Sequence, residues 1–293
     1  MTDSHHPVTR IRLFLFLAAL LCWAAAPAAP ARANSDAAPE AMALADVFEA
    51  SGYDWDSVRT GEADVPQLAP RALPRDLARV NDLELKKSLF FRALLPVVLQ
   101  VNDRIAAERQ RLTEIGAALA RGEYLTPREE AWLADLSERY GADSVEELLK
   151  RVDGVPPSLV LAQAAEESGW GTSRFVREGN ALFGQYTWND DHDGIAPKDN
   201  DAADTARRMR AFPTGTGAVA AYIHNLNSHR AYARFRALRA AGASGYELTR
   251  ALDRYSERRG EYGETLRMII RANRLAGLDE ARLADELKVA GNP

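Results

Sequence analysis

The chain has 293 residues, a formal net charge of −5 at pH 7 and a hydrophobic content of 46%. This length allows one large domain, or one domain with an appendage, and the apolar fraction is ample for a core. The mild acidic balance gives no electrostatic reason to expect nucleic acid or an anionic membrane surface as a partner.

The first residues have the layout of a secretory signal peptide. Arg10 and Arg12 form a positive n-region, stretch 13–26 is almost unbroken apolar sequence, and residues 31–33 read Ala-Arg-Ala, the small residues that a signal peptidase requires. We therefore expect residues 1–33 to be removed on export to the periplasm. An uncleaved anchor is the alternative, but the apolar run is shorter than the roughly twenty residues of a spanning helix.

The next segment, 34–80, is rich in Ala, Pro, Gly and Asp. It contains one candidate short helix, 41–50, and we predict that most of it is a flexible N-terminal arm. The single cysteine of the chain, Cys22, lies inside the signal segment. Neither a disulfide nor thiol chemistry is therefore expected after cleavage.

From Asp82 the apolar period becomes helical, and residues 81–153 are predicted to form a helical extension that serves as a scaffold. One stripe has spacings of three, four and seven: Leu94, Val98, Val101, Ile105, Leu112, Ile115 and Leu119. Pro96 is expected to kink or restart this helix, and Gly122 to end it. Thr126-Pro-Arg-Glu129 is a capping box, and Ser144 with Glu147 repeats the signal for a helix over 145–152.

A catalytic function is indicated by one stretch, Leu161-Ala-Gln-Ala-Ala-Glu-Glu-Ser-Gly-Trp-Gly171. Pro156 and Pro157 precede it and suit a first helical turn, while Gly169 or Gly171 is the natural stop. A carboxylate in the last turn faces the negative end of the helix dipole, and that field, like partial burial, favours the protonated acid. A protonated carboxylic acid at the edge of a groove is what glycosidic bond cleavage needs for the leaving oxygen.

Together with Asn180-Ala-Leu-Phe-Gly184, this stretch resembles the signature of the bacterial peptidoglycan N-acetylglucosaminidases, glycoside hydrolase family 73. The likeness covers about 85–276 and is strongest to the Bax-like members. Three further motifs support it: Val155-Pro-Pro-Ser158, Tyr222-Ile-His-Asn-Leu-Asn-Ser-His229 and Tyr255-Ser-Glu-Arg-Arg-Gly-Glu-Tyr262. The resemblance implies a lysozyme-like helical body with a mobile β-lobe. It also implies that Glu167 is the catalytic acid and that Glu166 occupies a variable position.

The resemblance further implies a second carboxylate on the β-lobe. Counting back from Phe212 by the spacing of the family leads to Asp199, with Asp201 and Asp204 as neighbours. Relatives carry a Glu in this segment, which this chain lacks. The alternative is a substrate-assisted route, in which the 2-acetamido oxygen of the sugar attacks C1. By the same resemblance, Tyr255 is expected near the scissile bond, as a hydrogen-bond donor or orienter.

Sugar-binding candidates surround the predicted lobe, 186–210. Tyr186 and Trp188 lie in a strand-like run followed by a turn-rich stretch, and their aromatic faces suit a pyranose ring. Asn180 and Phe183 are further substrate-binding candidates, although both also look structural, tying the helical lobe to the hairpin.

Other chemistries find no support in the sequence. His192, His224 and His229 lack the spacing of a metal site, and Ser168 is not in a Gly-x-Ser-x-Gly elbow. No metal or cofactor is expected. Trp170 is expected to pack behind the catalytic helix.

We therefore predict a mainly α (α+β) fold: a lysozyme-like helical domain over 154–280 with a small β-hairpin lobe, preceded by the helical extension and followed by a tail, 281–293. Beyond the lobe, helices are predicted over 218–226, 230–241, 246–252 and 264–275. The expected function is hydrolysis of the β-1,4 bond after N-acetylglucosamine in peptidoglycan, by an exported monomer that is not stably inserted in the membrane. The alternatives are lysozyme or lytic transglycosylase cleavage of the other glycan bond, and a catalytically weak glycan-binding scaffold.

Overall fold

The protein is mainly α-helical with one small sheet, which confirms the predicted fold class. The computed structural model describes residues 37–188, 193–196, 207–253, 255 and 260–285. The helices of this part are α1 (Pro39–Ala50), α2 (Trp55–Thr60), α3 (Leu83–Ala120), α4 (Pro127–Tyr140), α5 (Val145–Arg151), α6 (Pro157–Ser168), α7 (Arg174–Gly179), α8 (Gly215–Ser228), α9 (Ala233–Ala240), α10 (Gly245–Leu248) and α11 (Gly260–Ala272). Short 3₁₀ turns lie at Leu77–Arg79, Arg230–Tyr232, Thr249–Ala251 and Leu275–Glu280.

The helices of the extension begin where their capping signals stand. The Asp82 carboxylate accepts hydrogen bonds from the backbone N–H groups of Glu84 and Leu85, and opens α3. The capping box at the start of α4 is confirmed: the Glu129 carboxylate accepts from the Thr126 backbone N–H at 2.8 Å, and the Thr126 hydroxyl accepts in return. These local signals fix helix starts because each satisfies N–H groups that have no partner within the helix.

Helix α3 continues through Pro96, so of the predicted kink or restart the restart does not occur. A proline inside a helix removes one hydrogen bond and crowds the preceding turn. All residues from Ala93 to Leu99 are buried. Packing of this apolar stretch against its neighbours is the physical reason why the helix is not interrupted, since tertiary packing supplies most of the stability of a helix.

The segment before α3 differs from the flexible arm that its composition indicates. It forms α1 and α2 and buries Phe48, Tyr53 and Val58 at 0–2% exposure. The Arg92 guanidinium of α3 lies over the rings of Phe48 and Tyr53, 4.5 and 5.0 Å from their centroids. Val65 pairs with Leu283 in a parallel bridge. The segment has few large apolar residues, but these are buried against distant parts of the chain.

The core is built around α6, which contacts α3, α10, α11 and the 3₁₀ turn Leu275–Glu280. Helix α8 also packs against α3. The helices predicted after residue 213 are all present, although a 3₁₀ turn opens the second and closes the third. Within the described residues, none of the helices combines the length and the apolar character that crossing a membrane requires.

The β-lobe is a three-stranded antiparallel sheet of β1 (Tyr186–Thr187), β2 (Gly194–Ile195) and β3 (Arg208–Arg210), in the order β1-β3-β2. Met209 of the central strand lies opposite both Tyr186 and Ile195. The predicted strand at 185–188 is therefore present as β1. Residues 189–192 and 197–206 of the lobe lie outside the described residues, as do the predicted signal segment and most of the predicted tail.

Candidate active site

The site begins at the C-terminal end of α6. Every residue of this helix except Glu166 and Glu167 is buried, so the two carboxylates are its only side chains at the surface. Pro157 occupies the first helical turn, and Gly169 ends the helix in the left-handed conformation. A buried helix whose last turn carries carboxylates places a charged group at a fixed point on the domain surface.

The turn after α6 is held by the serine of the motif. The Ser168 hydroxyl donates to the Ala164 carbonyl and accepts a 2.8 Å hydrogen bond from the Gly171 N–H. Gly171 has φ +75°, and a Cβ on it would lie 2.7 Å from Leu73 of the N-terminal segment. Ser168 therefore stabilises the turn from a fully buried position rather than acting as a nucleophile.

Trp170 packs behind this turn. Its ring makes edge contacts with Phe90 and Phe91 of α3, at centroid distances of 5.9 and 5.4 Å. Trp55 of α2 stacks on Phe91. This aromatic cluster holds the turn on the side where the N-terminal segment packs. The packing expected for Trp170 behind the helix is confirmed.

The motif Asn180-Ala-Leu-Phe-Gly184 brings Gly184 against Glu167. Gly184 has φ +63°, and a Cβ built on it would be 3.1 Å from Oε2 of Glu167. Asn180, also in the left-handed region, closes α7, and its side-chain amide donates to the Phe212 carbonyl at 2.9 Å. This bond ties the helical body to the chain that follows β3. Phe183 is buried, and its ring stacks on the Tyr222 ring with the centroids 4.0 Å apart. The Phe183 ring therefore packs in the core that supports the site.

Four tyrosines surround the Glu167 carboxyl group: Tyr222, Tyr232, Tyr255 and Tyr262. Burial raises the pKa of each, and the negative charge of Glu167 raises each pKa further. Their hydroxyl groups therefore remain protonated and can donate hydrogen bonds. The Tyr255 hydroxyl donates a hydrogen bond to the Phe183 carbonyl at 2.8 Å. The Tyr255 ring stacks on the Tyr262 ring, with the ring centroids 5.6 Å apart.

A chain of hydrogen bonds reaches Glu167 through the buried interior. The Tyr222 hydroxyl donates to Oε1 of Gln163, Nε2 of Gln163 donates to the Tyr262 hydroxyl at 3.0 Å, and the Tyr262 hydroxyl donates to Glu167. Sequence reasoning missed this network. The available signal was a lone Gln one turn before Glu167 in an otherwise apolar helix, because a buried amide needs partners.

The lobe aromatics are exposed beside this site. Tyr186 is 37% and Trp188 65% exposed, with ring centroids 6.4 Å apart. The Arg207 guanidinium lies 3.7 Å from the centroid of the Tyr186 ring. The candidates for the second carboxylate, Asp199, Asp201 and Asp204, lie outside the described residues.

The structure thus brings three predicted site residues together, Glu167, Tyr255 and Phe183. It places Asn180 at the junction with the chain after β3, and Tyr186 and Trp188 on the lobe. Glu167 is half-buried, and partial burial favours the protonated form of a carboxyl group, which general acid chemistry requires. Across the residues that the structure describes, no three His, Cys, Asp or Glu side chains are grouped so that they could hold a metal ion.

Comparison with known proteins shows what the part of the chain that carries this site is similar to. Residues 142–275 match the glucosaminidase family, described as mannosyl-glycoprotein endo-beta-N-acetylglucosaminidase. Among curated proteins the chain is similar to protein Bax of Escherichia coli strain K12. The two are 34% identical over 163 residues, which is 53% of this chain and 56% of Bax. The chain thus matches about half the length of that relative. No solved structure matches.

Proposed function

We propose that this protein is an exported hydrolase that cleaves the β-1,4 bond after N-acetylglucosamine in peptidoglycan, with Glu167 as the general acid. One observation carries the proposal. Glu167 stands at the open end of a buried helix, accepts a hydrogen bond from Tyr262 and lies against the backbone of Gly184, within the range that matches the glucosaminidase family.

In the proposed reaction, Glu167 gives its proton to the glycosidic oxygen as the bond between this oxygen and C1 breaks. The leaving strand departs as an alcohol, and C1 takes up positive charge in the transition state. Two attacking groups are compatible with this step: a water molecule activated by a lobe carboxylate, for which Asp199 is the first candidate, or the 2-acetamido oxygen of the substrate itself. In the second route, water then opens the cyclic intermediate.

The surrounding residues have distinct proposed tasks. Tyr186 and Trp188 present exposed aromatic faces, which suit the apolar face of a pyranose. Tyr255 acts as an orienter, because its hydroxyl holds the Phe183 carbonyl and so the loop that carries Gly184. Asn180 fixes the junction with the lobe.

The proposal also includes the location and the oligomeric state of the enzyme. An exported, periplasmic monomer would meet glycan strands directly, and the predicted signal segment, 1–33, would direct the export. The helical extension supports the catalytic domain, and a part in positioning the glycan strand is the alternative.

Mass spectrometry of the muropeptides released from purified sacculi tests the bond that is cleaved. Fragments with reducing N-acetylglucosamine ends are expected. Reducing N-acetylmuramic ends would assign lysozyme activity, and 1,6-anhydro-muramic ends a lytic transglycosylase. Binding to sacculi without release of soluble fragments would assign a glycan-binding scaffold. Each of these three results contradicts the proposal.

A further inference from the structure

Gln163 is the polar residue in the interior of α6, one helical turn before Glu167. Its side chain is fully buried, and both ends of its amide are used, one by Tyr222 and the other by Tyr262. We propose that Gln163 is a positioning residue that acts on Glu167 through Tyr262, by directing the Tyr262 hydroxyl proton towards the Glu167 carboxyl group. This inference rests on the proposed catalytic role of Glu167.

The direction of each hydrogen bond follows from the chemistry of the amide. A glutamine side chain donates only from nitrogen and accepts only at oxygen. Since Nε2 of Gln163 donates to the Tyr262 oxygen, the single proton of that hydroxyl is left for another acceptor, and Glu167 is that acceptor. A flipped amide would instead offer Oε1 to Tyr262 and draw its proton away from Glu167.

Two features hold the amide in this orientation. The Tyr222 hydroxyl donates to Oε1, so a flip would lose that bond. Gln163 also lies on a helix in which every side chain except those of Glu166 and Glu167 is buried. In a site of low dielectric constant, hydrogen bonds in a chain strengthen one another. The consequence is a donor that meets Glu167 in one fixed direction.

The electrostatic surroundings make this donor important. Among the described residues, the four tyrosines face Glu167 from α8, from the turn Arg230–Tyr232 and from the chain around α11, and Glu166 adjoins it on α6. Partial burial favours the neutral carboxylic acid, whereas a donated hydrogen bond favours the carboxylate. Tyr262 and Gln163 therefore shift the balance between the acid that protonates the leaving oxygen and the ion that remains afterwards.

The test measures the pKa of the Glu167 carboxyl group by ¹³C NMR of protein labelled at the glutamate carboxyl carbon, with Glu167→Gln identifying the resonance. Tyr262→Phe removes the donor and should raise this pKa by about one unit. Gln163→Glu replaces the amide nitrogen by an acceptor and adds a negative charge, so it should raise the pKa at least as much. Tyr222→Phe, which frees the amide to flip, should cause a smaller rise. In each variant the alkaline limb of the pH–activity profile should move upwards by the same amount.

Matched controls separate positioning from structural damage. Tyr140→Phe removes another buried tyrosine hydroxyl that donates to a carboxylate, Glu108, at 3.3 Å. Gln110→Glu makes the same chemical change on the exposed face of α3. Both should leave the pKa of Glu167 and the pH profile unchanged, although Tyr140→Phe lowers stability.

An unchanged pKa in folded Tyr262→Phe and Tyr222→Phe would overturn the inference, and this holds even if Gln163→Glu fails to fold. That result, combined with an inactive Glu167→Gln variant, would leave the proposed function standing. Full activity of Glu167→Gln would instead contradict the proposed function, whatever the titration shows.

Discussion

Oε2 of Glu167 and the α-carbon of Gly184 lie so close that a Cβ on the glycine would be 3.1 Å from the oxygen. Gly184 also has φ +63°, a backbone conformation that residues with a Cβ rarely adopt. The two sequence motifs, 161–171 and 180–184, therefore meet at one contact between a carboxyl group and a bare backbone.

Gly184→Ala is expected to lower turnover by about tenfold or more, because a small displacement of a catalytic group is costly. The left-handed backbone should add a loss of about 1–2 kcal/mol in the free energy of unfolding. Turnover on sacculi and thermal unfolding measure the two effects. Gly122→Ala is the control, since Gly122 has φ +77° and open space around it. It should lose stability but keep activity, and equal turnover in both variants would contradict the importance of the contact.

Local signals in the sequence were sufficient for helix starts and for the position of Glu167. The capping box of α4 and the glycine after α6 act within a few residues, so the sequence alone predicts them. The partners of Gln163 could not be predicted in this way, because Tyr222 and Tyr262 lie 59 and 99 residues further along the chain. Burial of the N-terminal segment also depends on distant contacts, such as Val65 with Leu283.

Arg239 fixes the loop that leads into α6. Its guanidinium is almost fully buried and donates to Asn227 and to four backbone carbonyls: those of Lys150, Arg151, Asp153 and Gly154. Arg239→Met removes these hydrogen bonds from a buried position and should lower the free energy of unfolding by about 2–3 kcal/mol. Denaturant unfolding measures the loss. Arg121→Met, which removes an exposed ion pair with Glu123, should leave the unfolding midpoint nearly unchanged, and a similar midpoint for both variants would argue against this role.

Asp279 caps the N-terminus of α6. Its carboxylate accepts from the Ser158 N–H at 2.8 Å and from the Gly245 N–H at 3.3 Å, yet burial raises its pKa above the usual value for aspartate. At a pH between the ordinary and the raised pKa, Asp279 of the folded protein therefore keeps a proton that the unfolded chain has already released. Stability from this group is present at low pH and is lost as the pH rises from the ordinary to the raised pKa.

Asp279→Asn should flatten this fall in the free energy of unfolding, because the amide does not titrate and can still accept from Ser158. Unfolding curves across the acid range test this. Asp103→Asn, at an exposed position of α3, should keep the slope of the native protein. A slope in Asp279→Asn as steep as in the native protein would mean that another group causes it.

The second catalytic group is addressed by three variants of the lobe: Asp199→Asn, Asp201→Asn and Asp204→Asn. If a lobe carboxylate activates water, one of them should depress turnover by about 100-fold or more and the other two only mildly. Steady-state turnover on sacculi distinguishes them. Near-native turnover in all three would exclude these aspartates and favour attack by the 2-acetamido oxygen of the substrate.

The central claim is that Glu167 is the general acid, and turnover of Glu167→Gln on purified sacculi tests it most directly. Glutamine keeps the size of the side chain but cannot give a proton to the leaving oxygen. Turnover should therefore fall by about 10²–10⁴-fold with the melting curve preserved, while Glu166→Gln on the same helical turn should lose little. Native turnover in folded Glu167→Gln, or an equal loss in both variants, would contradict the assignment.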